Sequence, residues 1–182
     1  MPTFVNGLGG YANGTVGWTF QTTTTVSVTA LGCFDYLLSP GQNTILVGLW
    51  AADGTLLASN AVTAASQVEN YSRYEASGPV VLNPGQVYHI GASSATLPIL
   101  FSAVSPEYGG YAVLSPEVQL LGWAASFGGF LFPVASPGTP GIAAAAPNFQ
   151  YTLVQSQVPE PSSVVLLLLG GFLALAGRKN AA

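Results

Sequence analysis

The chain has 182 residues, 49% of them hydrophobic and only 5% charged, with three Lys or Arg against seven Asp or Glu and a formal net charge of −4. Arg73 is the only cation before residue 158, so the body of the chain cannot neutralise a run of phosphates, which excludes nucleic acid as a partner and argues equally against anionic lipid. A single cysteine and a single histidine exclude an internal disulfide and a zinc site.

Taken in chain order, Gly17-Trp18-Thr19-Phe20 and Val26 to Ala30 read as strands, rich in aromatic and β-branched residues. In the second, Val26, Val28 and Ala30 share one face and Thr25, Ser27 and Thr29 the other, and Gly32 is expected to mark a bulge before Phe34. Ile45 to Trp50 continues as a strand, Asp53-Gly54 signals a hairpin, and Thr55 to Thr63 returns. Val80-Val81-Leu82 leads into Asn83-Pro84-Gly85-Gln86, where proline and glycine stand in the positions of a type II turn, and Val87 to Gly91 comes back. The stretch from Ser93 to Pro147 is loaded with Gly, Pro, Ala and Ser and is expected to hold long loops with interspersed strands. Asn148 to Val154 reads as a closing strand, and Gln155-Ser156-Gln157 as a polar linker. Short strands with regular turn signals and no helical period predict an all-β fold, an antiparallel β-sandwich or jelly roll over residues 1–157.

Chemistry is sparse in this body. His89 sits in a strand and is expected to be half-exposed, and no Gly-x-Ser-x-Gly pattern accompanies it. The carboxylates Asp35, Asp53, Glu69, Glu75, Glu107 and Glu117 are dispersed; Glu69 and Glu75 flank Arg73 in what reads as a solvated loop with a weak ion pair. A calcium site built on Asp35 or Asp53 has no loop motif behind it. The expectation is therefore a non-enzymatic protein with no cofactor and no metal. Trp18, Trp50 and the lone Cys33 read as core. Tyr108, Tyr111, Trp123, Phe127, Phe130 and Phe132 crowd the loop-rich half, where packing under loops is the expected role; carbohydrate contact, above all by Tyr108, Tyr111 and Trp123, is the alternative. The run Thr22 to Thr25 lacks the repeats of an ice-binding array.

The last residues, 158–182, form a separate tail. Pro159 and Pro161 hold Glu160 in an extended, presented segment. The uncharged run Ser162 to Ala176 predicts a single hydrophobic helix, closed by Arg178 and Lys179, which suit the negative end of the helix and place the C-terminus in the cytoplasm. That run spans about 22 Å against a hydrocarbon core of about 30 Å, which fits brief tethering better than a permanent span.

Pro159-Glu160-Pro161, the short apolar helix and the Arg178-Lys179 end, in that order, resemble the PEP-CTERM sorting signal of Gram-negative bacteria, which a membrane-embedded cysteine protease, exosortase, recognises. The resemblance covers Val158 to Lys179. It implies exosortase as a partner, an inner-membrane-tethered precursor held by its C-terminal helix, processing near the motif, and delivery to a cell surface or exopolysaccharide matrix. Gly14 to Phe20, Val28 to Gly32, Val47 to Trp50 with Asp53 to Ala58, and Leu82 to Ala92 look like a β-sandwich domain of unknown function found in such surface proteins, which implies a fold and a location. Met1-Pro2-Thr3-Phe4 has neither a basic region nor an apolar stretch, so an export signal is expected upstream of this start. The reading is an exported protein with a structural or adhesive role, with a polysaccharide-binding module as the alternative.

Overall fold

The computed structural model describes residues 10–11, 14–34, 44–70, 72–93, 99–100, 115–135 and 147–154. They form twelve strands: β1 (Gly10–Tyr11), β2 (Gly14–Thr22), β3 (Val26–Phe34), β4 (Thr44–Ala51), β5 (Leu56–Thr63), β6 (Gln67–Glu69), β7 (Ser72–Leu82), β8 (Val87–Ser93), β9 (Ile99–Leu100), β10 (Val118–Phe127), β11 (Val134–Ala135) and β12 (Pro147–Leu153). Every pairing is antiparallel. The larger sheet runs β11-β10-β2-β8-β4-β5, the smaller β12-β3-β7-β6, and β1 pairs separately with β9. Among the described residues the fold is all-β. The predicted C-terminal helix lies outside the described residues.

Period-2 alternation builds the core. Val16, Trp18 and Phe20 of β2, Ile45, Val47 and Leu49 of β4 and Ile90 of β8 meet Val26, Val28, Leu31 and Cys33 of β3 and Leu82 of β7 between the two sheets. Phe20 is completely buried, and its ring lies 4.8 Å from that of Trp18 and 5.1 Å from that of Phe149. Burying one such side chain stabilises the fold by about 1.5–3 kcal/mol. The Trp18 indole N–H donates to the carbonyl of Pro147 over 2.8 Å, so one side chain of the larger sheet satisfies its polar handle on β12 of the smaller.

The turns follow their chemistry. Gly85 has φ +73°, and Gln86 N–H points back to the carbonyl of Asn83, the geometry read from Asn83-Pro84-Gly85-Gln86. Gly54, at φ +88°, closes the β4–β5 hairpin, where Ala51 N–H donates to Thr55 and the Asp53 carboxylate accepts from Thr55 N–H.

Three expectations need correction. Gly32 is not a bulge: it pairs in register with Tyr74 and Asn148, and the irregularities in β3 fall between Val28 and Ala30 and opposite Gln150–Tyr151. Glycine stands there because an added Cβ would lie 2.4 Å from Tyr74 Cδ1 and 2.6 Å from Asn148 Oδ1. Glu69 and Glu75 lie in strands β6 and β7, not in a loop. Arg73 and Glu75 pair with Cys33 and Leu31 and so share their inward face, where Arg73 donates to the carbonyls of Ala64 and Ser66 and Glu75 accepts from the Ser66 hydroxyl. These bonds pin the turn by which the chain leaves the larger sheet and enters the smaller. His89 is buried, not half-exposed, with 5% of its surface accessible.

Candidate functional site

The outer face of the larger sheet carries a row without side-chain bulk: Ala124, Gly17, Gly91 and Gly48 are paired in line across β10, β2, β8 and β4. The chain between β10 and β11 lies along that row. A Cβ on Gly48 would come within 2.7 Å of Phe130, and one on Gly91 within 3.1 Å of Pro133. Gly128 and Gly129, at φ +100° and +111°, turn the chain onto the sheet, and Thr15 holds it there, its hydroxyl donating to Gly129 O and accepting from Leu131 N–H, both at 2.9 Å. Phe130 packs on Trp50 with ring centroids 5.3 Å apart. Trp50 is thus buried as expected, yet beneath this strap and not between the sheets.

His89 and Thr19 lie under the same strap. The Thr19 hydroxyl is 3.3 Å from His89 Nδ1, and a ring N–H of His89 donates to the carbonyl of Pro133. Burial holds the imidazole below its ordinary pKa of 6.5, the Pro133 bond opposing this only in part, so the ring is neutral at pH 7. The pair can share a hydroxyl proton, but among the described residues no carboxylate stands behind the imidazole, and both residues are covered, Thr19 at 5% exposure. Hydroxyl and imidazole are thus packed together beneath the strap. Among the described residues no three His, Cys, Asp or Glu side chains converge on a point where a metal could sit.

Among the described residues no such strap lies over the outer face of the smaller sheet. Gln67, Tyr74, Gly32 and Asn148 are aligned across β6, β7, β3 and β12. The Tyr74 ring and the Asn148 amide lean over Gly32 from opposite sides. Asn148 Nδ2 donates to Ser72 Oγ at 2.8 Å, reaching over β3, and Gln150 Nε2 donates to Glu69 Oε2 at 2.7 Å, reaching over β3 and β7. Bonds of this reach require the sheet to curl, so the face is concave along that diagonal. Partial burial raises the Tyr74 phenol above its usual pKa of 10, and Glu69 nearby adds to the shift, so the phenol stays protonated at neutral pH.

At the start of β10, Tyr151 donates to Glu117 Oε2 at 2.8 Å and is bonded to Ser115, which holds the Glu117 carboxyl below its usual range and ties β10 to β12. Trp123 sits in β10, paired directly with Trp18 and therefore on the inward side of the larger sheet, not on a loop. Phe127, 68% exposed, ends that strand. Tyr108, Tyr111, Asp35 and Glu107 lie outside the described residues, as do Pro159, Glu160, Pro161, Arg178 and Lys179. The strap and the concave face were both missed in the sequence; the strand glycines, 17, 48 and 91 for the strap and 32 for the concave face, were the available signal.

The C-terminal residues 157–180 match the model of the PEP-CTERM protein-sorting motif. That motif marks an exported precursor that transits the membrane and is processed by exosortase. No curated protein matches the chain. A second match covers residues 5–98, just over half of the chain, and ends before β10, the strap and β12, so both outer faces are completed by chain beyond it. The chain belongs to the family described as a domain of unknown function, DUF4082.

Proposed function

We propose that this is an exported, non-enzymatic protein of the cell surface or exopolysaccharide matrix, with a structural or adhesive role, in which residues 1–157 act outside the cell and residues 158–182 direct sorting. The observation that carries the reading is the sorting motif at residues 157–180. In it, Pro159-Glu160-Pro161 is the segment that exosortase reads, the apolar run Ser162 to Ala176 tethers the precursor as a short membrane helix, and Arg178 with Lys179 retains the C-terminus in the cytoplasm. Two features support a non-enzymatic role. The one imidazole is neutral, covered and partnered by a threonine, and the body of the chain offers one cation, Arg73, whose guanidinium is committed to carbonyls of a turn.

The test is fractionation of an exosortase-bearing host that expresses the chain with a tag between Val154 and Val158. Glu160→Ala is expected to insert normally but to accumulate at full length in the inner membrane, whereas the parent is shortened and released or displayed. Neutral replacement of both Arg178 and Lys179 is expected to scramble topology without abolishing cleavage of correctly inserted chains. Normal processing of Glu160→Ala overturns the assignment.

A further inference from the structure

We propose that the concave outer face of the smaller sheet, centred on Gly32 between Tyr74 and Asn148, binds a neutral polysaccharide. This rests on the reading of the chain as an exported matrix or surface protein, and adds to it a site and a ligand class.

The first argument is shape. The sheet curls so far that amides of β12 bond residues of β7 and β6 across the strands between them. Gly32, lacking a side chain, lets the Tyr74 ring and the Asn148 amide settle against the strand from opposite sides, so that an aromatic ring and a carboxamide line the floor of this concavity. A sugar ring presents a flat C–H face and a rim of hydroxyls, and the ring of Tyr74 together with the planar groups of Asn148, Gln150 and Glu69 offers the counterpart of each.

The second is hydrogen-bond accounting. Asn148 Oδ1 is buried and has no donor, although the other end of the same amide is bonded to Ser72. Buried acceptors are nearly always satisfied, so this one calls for an explanation. Asn148 as a whole is only partly buried; swinging its side chain away from Gly32 gives up the Ser72 bond and carries the oxygen outward, where ligand hydroxyls supply the missing donor and replace the bond given up. The Gln150–Glu69 bond, which is exposed, can likewise be exchanged for hydroxyl contacts at little cost.

The third is charge. The lone described cation, Arg73, alternates to the inward side of β7, and Glu69 stands on the outer face. An anionic polymer therefore meets a carboxylate with no positive charge to offset it, while an uncharged, polyhydroxylated chain meets only groups that can donate to it or accept from it.

The experiment is affinity electrophoresis of the full-length chain, solubilised in neutral detergent, through gels containing soluble neutral glucans, mannans and galactans, with alginate as the anionic comparison. Retardation is expected in at least one neutral gel and not in alginate. Tyr74→Ala and Asn148→Ala should each weaken binding about tenfold or more, and Tyr74→Phe, which keeps the ring, by much less. Thermal unfolding of each variant checks that the domain is intact. Phe127→Ala, at the exposed end of β10, should bind like the parent. The proposal is overturned if no neutral polysaccharide retards the parent, if alginate binds better, or if binding survives in the folded Tyr74→Ala and Asn148→Ala proteins. Absence of binding with normal processing of the tagged chain leaves the sorting assignment standing, whereas failed processing with intact binding does the reverse.

Discussion

His89 packs against Phe132, with ring centroids 4.7 Å apart and planes inclined by 56°, so the only imidazole of the chain is roofed by an aromatic ring from a segment some forty residues further on. The groups around it, Thr19, Trp50, Phe132 and Pro133, carry no charge that could stabilise an imidazolium. Protonating His89 therefore loosens the strap or the sheet beneath it.

Stability should accordingly depend on pH through this residue. The folded pKa lies below the free value of 6.5, so as pH falls the unfolded chain takes up the proton first, and stability declines from about pH 6.5 downward until the folded pKa is passed. Above pH 7 the effect vanishes. Glu117 and Asp53, whose folded values are lowered from 4.5 and 3.8, add their own loss only in the more acidic range below those values. Denaturant midpoints measured at pH 7.5 and 5.5 should differ for the parent and converge for His89→Gln. An equal pH dependence in both proteins would assign the effect to other groups.

The glycine row makes a sharper demand. A Cβ on Gly17 would lie 1.7 Å from the carbonyl oxygen of Ile90, and a backbone carbonyl in a paired strand cannot step aside. Gly17→Ala should destabilise the domain by at least about 3 kcal/mol, at or beyond the upper end of ordinary overpacking costs. Gly78, also in a strand, has nothing within 4 Å of the same position, and Gly78→Ala should be neutral or stabilise by about 0.4–1 kcal/mol through the unfolded chain. Paired urea titrations decide it; similar midpoints for the two variants refute the contrast.

These two residues also show what the sequence could and could not convey. Strands β2 to β5, β8 and β12 were readable because their alternation is local, and the type II turn because Pro84-Gly85 imposes it within four residues. The sorting tail was readable for the same reason, its parts being contiguous. Gly17, Gly48 and Gly91 gained their meaning only from register, which lines them up across three strands far apart in sequence. Strand β10 was obscured by its own bulge, since the shift between Leu120 and Gly122 breaks the alternation on which recognition depends. His89 looked half-exposed because the strap that covers it is distant in the chain. Tyr74 and Asn148 had nothing to connect them until β3 placed Gly32 between them.

Asn60 offers a test of how the two sheets are joined. It pairs with Val47 and shares its inward face, from which Nδ2 donates to the carbonyls of Glu75 at 2.9 Å and Ala76 at 3.1 Å on the opposite sheet. Asn60→Ala leaves both acceptors without this donor and should cost about 1–3 kcal/mol. Hydrogen exchange should then speed up in β5 and the 64–66 turn before it does in β2 or β3. Uniform acceleration across all strands would mean that Asn60 contributes only to global stability.

The boundary between body and tail can be tested by truncation. The hydrophobic core among the described residues draws on β2 to β5, β7, β8 and β10 and is closed by Phe149 and Tyr151 of β12, with Val154 N–H donating to Thr25 O just beyond that strand. None of these contacts requires residues after 154, and the apolar run Ser162 to Ala176 is the part with an affinity for lipid. Removing residues 158–182 should therefore leave a chain that unfolds cooperatively, at a midpoint within a few degrees of the full-length protein, and that remains in solution without detergent. Calorimetry and sedimentation on the truncated chain provide the check. A broad, non-cooperative transition would show that the tail packs into the sandwich, and would withdraw the division at residue 157.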